Sequence, residues 1–144
     1  MTKPIAAHLV VDDPELAADW YARVLAAEET SRIPLPGGGV LTIELSIGPT
    51  TIALASEQPD VGIVSPKTLG GTYGALVIDT DDADALWERA LANGATVFHP
   101  IADTFWGERF GQVIDPFGHR WGFAQHLRDV PHAEVVKAAG EMFR

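Results

Sequence analysis

Phe105-Trp106-Gly107-Glu108-Arg109-Phe110-Gly111, running on to Asp115-Pro116-Phe117-Gly118-His119-Arg120-Trp121, is the stretch whose reading decides the fold. It predicts a β-hairpin. An apolar, branched strand around 112–114 meets an Asp-Pro-x-Gly turn, and a second strand follows over 120–126. Pro116 presets φ for the turn, and Gly118 supplies the positive φ that such a turn commonly needs.

Working outward, the chain divides into two similar halves. In the first, 5–11 is a short apolar strand, and Asp12-Asp13-Pro14 punctuates it and starts a helix over about 14–27. Leu16, Trp20, Val24 and Ala27 are expected on one face of that helix. After a turn at 34–39, the segments 40–47 and 50–56 read as strands joined at Gly48-Pro49. The second half repeats the plan: a strand at 74–78, a helix opened by Asp81-Asp82 and running through Leu91, and Asn93-Gly94 as its left-handed end. A strand over 96–99 and the hairpin complete it. Each half is a β-α-β-β-β module. Aligning Asp12 with Asp81 and Asp13 with Asp82 sets an offset of 69, and the same offset lays 42–56 onto 111–125 without a gap.

The expected layout is one α+β domain over 1–144. Module one covers about 1–56, a Gly-, Pro- and Ser-rich linker 57–73, module two 74–126 and a C-terminal helix 131–144. Hydrophobic residues make up 47% of the 144, enough for a real core. The formal charge of −10 disfavours nucleic acid or an anionic membrane as partner. With no cysteine, disulfides and thiolate metal sites are excluded. No apolar run approaches the roughly 20 residues that span a bilayer, and no basic-then-apolar leader is visible, so the expectation is a soluble, cytoplasmic protein.

The Trp-Gly-x-Arg…Asp-Pro-Phe-Gly-His-x-Trp wording resembles the last hairpin of the vicinal-oxygen-chelate superfamily of glyoxalases, bleomycin-resistance proteins and extradiol dioxygenases, and most closely its PhnB-type branch. The resemblance covers module plan, hairpin and tail. It implies two βαβββ modules forming a half-open mixed sheet, with helices on the outer face and a ligand cleft on the concave one. It also implies a homodimer.

Metalloenzymes of that superfamily take His, Gln or Glu ligands from the first and last strand of each module. A divalent ion needs three or four such donors at about 2–2.3 Å. Carried over, those positions fall on Ala6, Ala75, Ala53 and Gly122, none of which has a donor atom. A register slip of two would bring in His8. The expectation is therefore no cofactor and no bound metal. In its place stands an apolar cleft lined by His8, Ala6, Ala53, Ala75, Phe105, Trp106, Phe110 and Gly122. Phe105, Trp106 and Phe110 would stack on an aromatic or planar ligand, each adding on the order of 1 kcal/mol beyond area burial. Glu108 and Arg109 are expected to pair with each other and hold the loop, and Asp115 to accept backbone hydrogen bonds in its own turn.

Two functions follow from this reading. One is a metal-free binder that sequesters a small molecule, with no catalytic residue assigned. The alternative is a metal-dependent lyase, isomerase or dioxygenase using His8 and a divalent ion held by ligands not yet placed.

Overall fold

A computed structural model describes residues 4–144. They divide into two units, 4–73 with 117–119 and 74–116 with 120–144.

The first unit holds β1 (Ala7–Val11), α1 (Pro14–Leu25), β2 (Glu28–Pro34), β3 (Val40–Ile47) and β4 (Thr50–Ser56). The strands form one open sheet in the order β1-β4-β3-β2. β1 runs parallel to β4 and the other pairs are antiparallel. Asp13 caps α1 by accepting the Leu16 N–H at 3.1 Å, and Pro14 needs no donor there. The chain leaves the helix through Ala26, a left-handed residue with φ 55°. Trp20, Tyr21 and Val24 are buried between α1 and the sheet, whereas Leu16, expected on that face, is 59% exposed. Leu9, Val11, Ile43, Leu45, Ile52 and Leu54 form the opposing layer. Strand alternation sends His8, Glu44 and Ala53 to the other, open face.

Residues 57–73, read as a linker, carry structure of their own. A 3-10 turn (Pro59–Val61) is followed by a one-turn helix, α2 (Pro66–Leu69). Glu57 anchors the segment, accepting from the Ser65 N–H at 2.8 Å and the Thr68 hydroxyl at 2.6 Å. These bonds hold its carboxyl below the usual 4.5, the Ser65 side chain contributing most.

The tip of the signature turn, 117–119, belongs to this unit too. Phe117 is buried 6.0 Å from the Tyr21 ring, and His119 Nε2 donates to the Val10 carbonyl at 2.8 Å. Gly118 has φ 91°, and a Cβ there would lie 2.9 Å from Pro66. The turn therefore needs a glycine for space as well as for backbone.

The second unit repeats the plan with β5 (Ala75–Asp79), α3 (Ala83–Ala92), β6 (Thr96–Asp103), β7 (Glu108–Ile114) and β8 (Arg120–His126), in the order β5-β8-β7-β6. The expected short strands at 96–99 and 112–114 are longer than the apolar signal suggested. Asp82 caps α3 through the Ala85 N–H, and Gly94, φ 97°, ends it. Leu86, Ala90, Val113, Trp121 and Phe123 are buried between helix and sheet. Inside that layer the Trp121 indole donates to Asp115 Oδ2 at 2.8 Å. The turn carboxylate therefore serves a buried side chain. Arg109 does not pair with Glu108 as expected. It faces the helix, forming a two-pronged bond with Asp84 (2.9 and 3.0 Å) and a third bond with Asp103 at 3.0 Å. Asp84 first, then Asp103, holds its guanidinium above the usual range. The reason is parity: neighbouring strand residues point to opposite faces.

The final helix, α4 (His132–Met142), buries no residue. Val136, Met142 and Phe143 are 56%, 63% and 80% exposed. Among the described residues, no helix is long and apolar enough to cross a membrane.

Candidate functional site

Each sheet has one face covered by its helix and one open face, and the predicted site residues fall on the open faces or their rims. In the first unit, His8 pairs with Ala53 on β4, and Ala53 pairs with Glu44 on β3. The three form one row, with the small Ala53 between two polar side chains. Glu44 is steadied by the Thr30 hydroxyl at 3.0 Å. Ala6 lies just before β1 and outside this row.

In the second unit, the equivalent row is Val77–Gly122–Gln112. Ala75 stands one row away, opposite Arg120, whose guanidinium lies 4.5 Å over the Phe98 ring. Asp79–Ala124–Phe110 forms the next row, and His126–Glu108 the one after that.

The three aromatics named from the sequence contact one another. The Phe105 and Trp106 rings meet edge to face at 4.9 Å, and Trp106 meets Phe110 at 5.9 Å. Trp106 is 38% exposed, and its indole N–H donates to Glu108 Oε1. Backbone geometry fixes the loop beneath it. Gly107, φ 94°, gives its carbonyl to the N–H groups of Leu127 (2.9 Å) and Arg128 (3.2 Å).

Gly122 does not leave the expected open floor. A Cβ built there would sit 3.1 Å from both Phe110 Cε2 and Val77 Cγ2. The space above this glycine is filled by the Phe110 ring, because Phe110 stands diagonally across the strand pair and leans over the residue without a side chain. The open space lies further along. A depression of about 510 Å3 is lined by Asp79, Asp81, Glu108, Ala124 and His126, among others.

Sequence reading missed Asp79 as part of this surface, saw His126 only as a rim residue and favoured an ion pair with Arg109 for Glu108. Parity was the available signal, since Glu108 precedes Phe110 by two residues and Asp79 follows Val77 by two.

The donor set does not fit a divalent ion. The first row offers one imidazole and one carboxylate, the second a single amide. Among the described residues, no three His, Asp or Glu side chains converge.

The chain belongs to the Glyoxalase/Bleomycin resistance protein/Dioxygenase superfamily, whose model matches residues 4–123. Among its relatives is the uncharacterized protein Mb0911c of Mycobacterium bovis, 38% identical over 137 residues, covering 93% of this chain and 90% of that one. The fold is also that of TioX from a Micromonospora species, with a TM-score of 0.69 and 28% identity over 88% of this chain and all of the other. TnmS3, an antibiotic-binding protein from a Streptomyces species, matches at a TM-score of 0.66 and 23% identity, over 88% of this chain and 97% of its own.

Proposed function

We propose that this protein is a metal-free binder that sequesters a small planar compound, on the PhnB-type branch of its superfamily and as a cytoplasmic homodimer. One observation carries the reading. Phe105, Trp106 and Phe110 form a continuous aromatic wall at the open face of the second sheet, and Trp106 remains accessible within it. An accessible indole fixed by a carboxylate and by a glycine turn is already oriented, so stacking on it costs little side-chain ordering. TnmS3, an antibiotic-binding protein, shares the fold and supports the reading, and the lack of a third converging donor among the described residues agrees with binding in place of metal chemistry.

Calorimetric titration with three planar probes, acridone, 9-aminoacridine and anthracene-9-carboxylate, tests the proposal. At least one should bind, and Trp106→Ala should weaken it roughly fivefold, the equivalent of about 1 kcal/mol of stacking. Far-ultraviolet circular dichroism should remain unchanged, because Trp106 lies outside the helix-covered core. Failure of all three probes to bind would sink the reading, as would a Trp106→Ala protein that unfolds. Stoichiometric Zn²⁺, Mn²⁺ or Fe²⁺ retained by the purified protein and lost in His8→Ala would replace it with the enzyme reading.

A further inference from the structure

The depression beside the aromatic wall has a chemistry that the wall alone does not explain. Asp79 and Phe110 flank Ala124 in one row of the second sheet, which places their Cα atoms roughly 10 Å apart, or two strand spacings. The next row adds Glu108 and His126, and Asp81 closes the rim. The small Ala124 lies between the acidic side and the aromatic side of that row. The wall and the acids are also joined directly, since Glu108 accepts the Trp106 indole N–H.

Asp79, Asp81 and Glu108 form no ion pair among the described residues, although Arg32, Lys67 and Arg109 are each matched with acids elsewhere in the chain. His126, which also lines the depression, lies 3.1 Å from Asp129 Oδ1. The acids are also too dispersed for an inorganic ion, since no three of them converge. Dispersed carboxylates beside an aromatic plane suit an organic cation, whose charge is spread over several atoms and whose rings stack.

We infer that this site takes a planar aromatic cation, with its ring on Trp106 and Phe110 and its positive charge between Asp79 and Glu108. The inference rests on the reading above that the open face of the second sheet is the ligand site.

The test compares 9-aminoacridine, cationic near neutral pH, with acridone, a neutral compound on the same three-ring frame. The full-length protein should bind the cation at least tenfold more tightly. Asp79→Asn combined with Glu108→Gln should reduce that ratio to below twofold, while the amide oxygen introduced by Glu108→Gln still offers the indole an acceptor. A charge-matched control, Asp60→Asn with Glu88→Gln, removes two exposed acids outside the depression and should keep the ratio. Equal binding of the two probes by the unaltered protein would overturn the cation site and leave the binder intact. Equal loss of preference in the control variant would overturn it as well, assigning the preference to net charge alone. Binding of neither probe would overturn the site, and if anthracene-9-carboxylate also fails to bind, the binder reading falls with it.

Discussion

Replacing Gly107 with alanine tests how the wall is held, because two separable costs meet at that residue. The first is conformational: at φ 94° an L-residue is strained by about 1–2 kcal/mol. The second is steric. A Cβ on residue 107 would collide with the Arg128 carbonyl oxygen and press on Val130 Cγ2 at 3.0 Å. Neither the carbonyl nor the turn can yield without disturbing the bonds from the Leu127 and Arg128 N–H groups to Gly107 O, worth about 1 kcal/mol each. The sum is about 3–4 kcal/mol, which for a chain of this size lowers Tm by on the order of 10 °C. Gly38 provides an internal reference. It has φ 109° with nothing within 4 Å of a built Cβ, so Gly38→Ala carries the strain without the collision. Thermal melts followed by circular dichroism should place Gly107→Ala well below Gly38→Ala, and probe binding should fall with it because Trp106 is the adjacent residue. If the two variants melt together, the close approach of 107 to 128 contributes nothing and the account of the loop is wrong.

Asp115→Ala should cost about 2–3 kcal/mol, since it removes a charged acceptor from the Trp121 indole within a layer where the two residues are 4% and 2% exposed. Urea unfolding monitored by Trp fluorescence measures this, and a loss under 0.5 kcal/mol, about the size of an ordinary surface change, would refute the buried bond. Glu57→Gln should change the acid limb of stability. The folded carboxyl is held below 4.5 by Ser65 and Thr68, so its contribution is present above the unfolded value and is lost as pH falls through the folded one. The unaltered protein should therefore melt higher than the variant near neutral pH, with the gap closing in acid. A gap that is constant with pH would show that the carboxylate charge is not what Ser65 and Thr68 stabilise.

Much of the fold was legible because its punctuation is local. Asp13 and Asp82 are both helix caps, as the doublets suggested, and Gly94 and Gly118 take the positive φ values expected of them. The sequence reading placed no strand at edge strand β2. All seven of its residues are exposed, so no apolar alternation marks it. The segment 57–73 looked like a linker for a related reason. Its order comes from Glu57 bonding to Ser65 and Thr68, a polar anchor that hydropathy does not register.

The site was less legible, and the repeat itself shows why. His8 to Val77 and Ala53 to Gly122 each span 69 positions, and each member pairs with its row neighbour. Glu44 and Gln112, which stand opposite Ala53 and Gly122, are separated by 68. The gapless mapping of the two hairpins therefore fails by one residue: Gln112 to Gly122 spans ten positions where Glu44 to Ala53 spans nine. In a helix such an error rotates a side chain by about 100°, but in a strand it reverses the face. A uniform offset would have put Arg109 on the open face, where the observed register puts Glu108. The row of Asp79 and Ala124, by contrast, keeps the offset of 69 and needs no correction. Which charges face the open side is thus set by pairing register more than by motif, and a motif-preserving change of one residue between β7 and β8 would exchange them.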